Sequence, residues 1–353
     1  MISPKDMTKF TNNDIVIMYE KLQQDLSKSI IRSLNDTGDI SSYTRQQISN
    51  LKKYGGKKVF YEALKKANNL SAERKKEIKK LFDDIAVQSM KGYKETFKNK
   101  DIKYELSPSM LELVNYAKKT TNKDLKNLTK SIAYGTKKSY IKAVDQMYKE
   151  VVTGSYDYET SIKKAIRDLT SQGITLKTKD GRNEKINVAV KRNLYTSIHQ
   201  TAESLALEIG KQIEYNCVVI GHSSVCRPTH NVIDDVVMSK SEFQKYAYLT
   251  EEPNCNHIVN YDWRPEFDKK NPKTQYGEEH LTSAEVKKNY KIQQKSNYYA
   301  RQVRDKKSQI ANGDNSKEAK QKLRLAQLKL RTYNKQNKIE QDYFKTYVYG
   351  YNK

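Results

Sequence analysis

The sequence predicts a mainly α-helical chain interrupted by one small α+β module, and three observations predict it. Glycine and proline number only 13 and 6 in 353 residues, where ordinary usage would give about 42 together, so turns are few and helices long. Apolar residues recur at spacings of three and four through both ends of the chain. Between residues 156 and 280 that rhythm gives way to β-branched runs, prolines, cysteines and histidines. The expected architecture is an extended helical amino-terminal region (1–155), a central α+β module (156–280) with short strands and a loop-rich candidate metal site, and a basic carboxy-terminal helical hairpin with an aromatic tail (281–353).

The amino-terminal region reads as successive helices. Ile15, Tyr19, Leu22, Leu26, Ile30 and Leu34 share one face of the first, because residues three and four apart in an α-helix lie above one another. A second is expected after Ser71, whose hydroxyl suits an N-cap, and a third over about 109–117, behind Pro108. Leu125, Leu128, Ile132, Tyr140, Val144 and Met147 mark a fourth over 124–152. A fifth runs from Thr160 to Gln172 and ends at Gly173. The lysine-rich outer faces suit either a solvated surface or contact with DNA.

In the central module, Ile174 to Lys185 reads as a strand pair turning at Asp180-Gly181-Arg182. Val190, Leu194, Ile198, Ala202, Leu205, Ile209 and Ile213 define a long amphipathic helix over 188–214, with His199 expected at its surface or half-buried. Cys217 to Ile220 reads as a buried strand with Cys217 in the core. Beyond it, Pro228, Pro253, Pro265 and Pro272 punctuate a long irregular segment anchored by Phe243, Tyr246, Tyr248, Tyr261 and Trp263. A loop of that length needs a staple.

In the carboxy-terminal region, Ile292, Tyr299, Val303 and Ile310 form one seam, and Ala319, Leu323, Ala326, Leu330 and Tyr333 the other, of a helical hairpin that turns at residues 312–315. The tail alternates Tyr343, Phe344, Tyr347, Tyr349 and Tyr351 with Lys345 and Lys353. That pattern suits nucleic-acid stacking, and suits packing on a partner better.

Charge narrows the function classes. Residues 1–173 hold 34 basic and 21 acidic side chains, 174–280 hold 14 and 15, and 281–353 hold 18 and 6, so the net +24 resides wholly in the two ends. Such arms imply a polyanionic neighbour. No apolar run approaches the length of a membrane span, and the amino terminus lacks the apolar stretch of a signal peptide. Three cysteines cannot build a disulfide framework, so synthesis in a reducing cytoplasm is expected.

The neutral middle carries the chemistry. His222, Cys226 and His230 stand in an H-x3-C-x3-H arrangement, and Cys255 with His257 in C-x-H. Thiolates and imidazoles are the ligands zinc prefers, and Cys226, His230, Cys255 and His257, with His222 as the alternative, would close a structural zinc site across this segment. The spacing matches no common zinc finger. Read without a metal, the same residues are loop histidines and buried thiols, and the sequence leaves both readings open.

Catalytic readings fare worse. A zinc deaminase needs H-x-E and P-C-x-x-C, and the glutamate is missing here. Cys255 or Cys226 could meet His257 or His230 as a thiol nucleophile with its base, but nothing in the spacing favours it. A metal-dependent nuclease would use His230, Asp234, Asp235 and His257. No phosphate-cradling glycine motif is present. The chain is expected not to be an enzyme.

The ordered pieces Tyr156 to Ile174, Asp180 to Arg182, Val188 to Ala202, His222 to His230, Ile233 to Ser239 and Pro253 to His257, followed by the basic stretch Lys288 to Lys307, resemble the minor capsid protein 2 family of tailed bacteriophages. A more distant similarity is to Mu-F-like head morphogenesis proteins. The resemblance covers roughly residues 156–335; the first 155 match only in being helical. Two positions depart from the family pattern. Asp235 stands where a turn glycine is usual, which puts the tight turn in doubt, and Asn256 replaces an arginine beside the candidate metal.

The resemblance implies a minor structural protein of the virion head. It would lie at the portal vertex or inner capsid surface, contact portal or major capsid protein and packaged double-stranded DNA, and serve head morphogenesis, genome packaging or ejection. The cluster of thiols and imidazoles would then staple the fold. Phosphates would be neutralised without sequence reading, and the contact candidates are Lys306, Lys307, Lys320, Lys322, Arg324, Lys329 and Arg331. The competing expectations are a metal-dependent nuclease and a phage-derived toxin module carried with the genome.

Overall fold

A computed structural model describes Met7, Phe10 and residues 13–96, 105–178, 181, 183–221, 226–252, 255, 257–263, 281–340 and 342–351. The long helices are α1 (Asp14–Asn35), α2 (Arg45–Asn69), α3 (Ser71–Thr96), α4 (Pro108–Val152), α5 (Tyr158–Gln172), α6 (Ile186–Gln212), α8 (Ser283–Ala311) and α9 (Lys317–Gln336), with the shorter α7 at Lys240–Thr250. Five short strands accompany them: β1 (Thr175–Lys177), β2 (Asn183–Lys185), β3 (Cys217–Ile220), β4 (Val237–Ser239) and β5 (Val259–Asp262). The mainly helical fold with a small sheet-bearing middle is as expected.

Three elements differ from the sequence reading. The apolar pattern does not mark helix α2, because Gly55-Gly56 and seven basic residues blur its stripe. Its start nonetheless carries a capping box: Thr44 Oγ1 accepts from Gln47 N at 3.2 Å, and Thr44 N donates to Gln47 Oε1 at 2.7 Å. The expected separate helices over 109–117 and 124–152 are one helix, α4, because residues 118–123 contain neither glycine nor proline to stop it. The irregular segment after β3 is less irregular than it reads. It holds β4, α7 and β5, with α7 capped by Ser239 Oγ accepting from Glu242 N at 3.2 Å.

The chain forms two compact units, each assembled from three stretches: 1–13, 75–123 and 191–295 in the first, 14–74, 124–190 and 296–353 in the second. These boundaries fall inside α3, α4, α6 and α8, and so divide the chain differently from the three segments read from charge.

In the second unit the α1 stripe is fully buried, as its spacing predicts. Tyr19 Oη donates to Leu125 O at 3.3 Å, and the buried Arg74 guanidinium donates to Tyr19 Oη at 3.5 Å. Glu20 receives Asn187 Nδ2 at 3.1 Å and pairs with Arg304. Strands β1 and β2 pair antiparallel, Leu176 opposite Glu184. The turn residues Asp180 and Arg182 lie outside the described residues. The α8–α9 hairpin closes on Val303, Leu323, Ala326 and Leu330 of the expected seams, joined by Ala300, with the expected Tyr299 and Ile310 packed against them.

The aromatic tail packs on its own chain. Tyr349 lies 6.0 Å from the Lys21 ammonium and Tyr351 5.4 Å from that of Lys307, while Tyr343 stays in solvent.

In the first unit β3 is the centre of a three-stranded antiparallel sheet in the order β4-β3-β5. Val219 faces Val237 on one side and Asn260 on the other. All four residues of β3 are buried, which explains its unbroken apolar run, and Cys217 is core as expected. Helix α6 backs the sheet through Gly210, where a Cβ would come 2.5 Å from Tyr261 Cβ. Tyr93 of α3 reaches Asn260 Oδ1 at 3.5 Å.

Candidate metal centre

The sheet places two short irregular segments side by side. One is the 3-10 turn Pro228–Ile233, started by a proline that needs no hydrogen-bond partner for its nitrogen, and it carries His230. The chain then reverses through Asp235, which adopts φ 55° before entering β4. The tight turn is therefore made without a glycine, with an aspartate holding the left-handed conformation it tolerates better than most residues. The other segment runs from Glu252 to His257 into β5 and carries Cys255, whose N–H donates to Glu252 O at 3.0 Å.

Two imidazoles converge on one sulfur. Cys255 Sγ lies 3.6 Å from His230 Nδ1 and 3.3 Å from His257 Nδ1, with the two rings 5.5 Å apart. Each ring is held from behind by a carboxylate: His230 Nε2 is 3.0 Å from Glu252 Oε2, and His257 Nε2 is 2.9 Å from Asp234 Oδ1. Arg227 in turn donates to Glu252 Oε2 at 2.6 Å. Carboxylates accept only, so each Nε2 carries the proton and each Nδ1 presents its lone pair toward the sulfur.

Helix α6 pins the backbone of the C-x-H segment. Tyr195 Oη donates to Cys255 O at 2.6 Å, and His199 Nε2, one turn later, meets His257 O at 2.6 Å. His199 is thus buried, neither at the surface nor half-buried as its sequence position suggests, and the backbone carbonyl fixes its donor.

The electrostatics follow from burial. Burial pushes the Cys226 thiol up to about 12, with Asp234 and Cys255 adding to it, and raises Cys255 as well. It lowers His230 and His199, favouring the neutral rings. The hydrogen bond from His230 is the main reason the Glu252 carboxyl lies below its ordinary range. Glu203, one turn beyond His199 on α6, is raised to about 7 by burial and by Glu251.

Of the four residues chosen from sequence, His230, Cys255 and His257 form one set whose ligand atoms all lie within 4.8 Å of one another. Cys226 belongs to a second such set with Asp234 and His257. The alternative ligand His222, and Asn256, lie outside the described residues. Asp234, which the sequence offered only to a nuclease, orients His257; Glu252, Tyr195 and the role of His199 carried no sequence signal. Chemically, the cluster can hold a soft divalent cation. Its Cys255–His257–Asp234 line also has the order of a thiol nucleophile, a base and an orienting carboxylate.

The proposed phosphate contacts divide by exposure. Lys320, Lys322, Arg324, Lys329 and Arg331 are exposed on α9, and Lys306 is half-buried. Lys307 is only 6% exposed, over the Tyr351 ring.

The model of one protein family, Phage minor capsid protein 2, matches residues 2–336. The chain belongs to that family. The match takes in α1 to α4 as well as the module and the hairpin, so the amino-terminal region is part of the family's own pattern and not merely helical like it. No curated protein and no solved structure matches the chain. As a phage minor capsid protein it is a structural component of the virion, and no helix among the described residues is long and apolar enough to cross a membrane.

Proposed function

We propose that this minor capsid protein faces the interior of the head, at the portal vertex or the inner capsid surface. There it holds packaged double-stranded DNA without reading its sequence, in the service of head morphogenesis, packaging or ejection. The observation that carries the reading is the outer face of α9. That helix has seven basic residues and one acidic residue, Glu318. It turns Ala319, Leu323, Ala326 and Leu330 inward and leaves Lys320, Arg324, Lys329 and Arg331 in solvent. Its cations flank the packed side, Lys320, Arg324 and Arg331 on one flank and Lys329 on the other, an arrangement suited to phosphates, which it binds by releasing counterions.

The experiment is DNA binding by the full chain over a salt series. Deleting the hairpin would remove part of the second unit's core, so the informative variant replaces Lys320, Arg324, Lys329 and Arg331 together by glutamine. The slope of log K against log salt should flatten by about 3 to 4. An unchanged slope overturns the reading.

A second reading, a metal-dependent nuclease, draws on His230, Asp234 and His257, which stand together in this cluster. DNA cleavage supported by a divalent ion and abolished by Asp234→Asn in a folded chain would establish it.

A further inference from the structure

The hydrogen-bond bookkeeping around Cys255 does not close with protons alone. Glu252 and Asp234 take the Nε2 protons of His230 and His257, so two lone pairs face one sulfur, at 3.6 and 3.3 Å. A thiol has one proton and can donate to one of them. A cation shared by the sulfur and both Nδ1 atoms satisfies all three groups at once. The distances agree: a tetrahedral zinc at about 2.3 Å from sulfur and about 2.0–2.1 Å from nitrogen separates those two atoms by about 3.5 Å.

We propose that the first unit binds one zinc ion through Cys255 Sγ, His230 Nδ1 and His257 Nδ1, with Cys226 Sγ as fourth ligand, and that Asp234 and Glu252 orient the two histidines. Cys226 is buried in a second set with Asp234 and His257 and stands outside the set of His230 and Cys255, so its thiol must turn toward the ion to close the tetrahedron. A two-thiolate, two-imidazole set selects zinc over magnesium or calcium, which take oxygen. Binding releases both thiol protons to solvent. Carboxylates behind the ligating rings fix the tautomer and raise ligand basicity. Helix α6 completes the support by holding the carbonyls of Cys255 and His257. The ion is a staple: it ties the 3-10 turn to the entry of β5 across strands of three and four residues. This goes beyond the capsid reading and does not depend on whether α9 binds DNA.

The test is the metal content of the full chain purified under reducing conditions, followed by cobalt substitution. One zinc per chain is expected, and in the cobalt form a tetrahedral visible spectrum with a thiolate-to-metal band that Cys226→Ser halves. Because ligand variants can fail to fold, Asp234→Asn and Glu252→Gln are the second arm; each should weaken zinc affinity about 10- to 100-fold with the fold retained. A folded chain without stoichiometric metal overturns the site. So does rapid alkylation of Cys255 in the folded, unchelated protein, which would mark the thiol as a nucleophile. A cobalt thiolate band unchanged in Cys226→Ser overturns Cys226 as the fourth ligand.

Discussion

The β3–β4–β5 module and the α8–α9 hairpin are both small, and they are held together by opposite means. The hairpin buries a repeated seam of alanine, valine and leucine, with one buried polar pair, Ser296 Oγ donating to Asn334 Oδ1 at 2.7 Å. The module has strands of three and four residues and a compact apolar cluster of Cys217, Val219 and Val237. It buries His199, His230, Asp234, Asp235, His257, Asn260 and Asp262. Apolar packing is non-directional and tolerates a change of shape. Buried polar groups are satisfied only in one geometry, so the module exchanges tolerance for definition.

Conservative substitutions should separate the two most sharply. Cys255→Ser changes one atom and should cost the module up to about 3 kcal/mol, because the shorter C–O bond draws the shared partner away from two buried imidazoles. Leu323→Met in the hairpin seam should cost less than about 1.5 kcal/mol. Trp263, the only tryptophan, adjoins β5 and reports the module's unfolding by fluorescence in urea. Equal losses would dissolve the distinction.

Two helical glycines give the next largest contrast. Helix propensity alone predicts a gain of up to about 1 kcal/mol for glycine to alanine. In α2, Gly56→Ala should deliver it, since a Cβ there makes ordinary contacts at 3.5 Å with Ile141 and Lys137. In α6, Gly210→Ala should lose about 2 kcal/mol, because Tyr261 Cβ, fixed by the sheet, would stand 2.5 Å away. Thermal melts of the two variants should move in opposite directions.

The module should also respond to pH through Glu203. Its carboxyl is raised to about 7, chiefly by burial and then by Glu251, with His199 Nδ1 at 3.8 Å and Tyr261 also facing it. A carboxyl raised in the folded state stabilises fully below its unfolded pKa, near 4.5, and that contribution is lost as pH rises through about 7. With the side chain 24% exposed, Glu203→Gln should recover about 1–2 kcal/mol at pH 8 and nothing at pH 4. Urea midpoints across the pH series check it. A smaller difference belongs to Asp235 at φ 55°: Asp235→Gly should be about 1 kcal/mol more stable than Asp235→Ala, measured the same way.

The same contrast explains what the sequence disclosed. The α1 stripe from Ile15 to Leu34 and the hairpin seams were legible because helix burial is periodic. Helix α2 has no legible stripe because Gly55-Gly56 and its lysines mask the period, though Thr44-Arg45-Gln46-Gln47 carries a capping signal. In the module, the ligand types of Cys255 and His257 were legible from C-x-H. The carboxylates behind the rings and the α6 groups Tyr195 and His199 were not. Their roles arise from contacts between segments some twenty to sixty residues apart, which no local pattern encodes.

The smallest effects test the outer surface against the inner one within the hairpin. Lys329 and Lys307 are equivalent as charges in the sequence, but one is in solvent and the other lies over Tyr351 with its pKa lowered by burial. If α9 meets DNA by counterion release, Lys329→Ala should reduce the salt slope by about 0.9 and leave stability unchanged. Lys307→Ala should leave the slope unchanged and loosen the tail, read as faster amide exchange at residues 348–351. A drop in slope for Lys307→Ala would mean that the tail lifts when DNA binds and hands its buried cation to a phosphate.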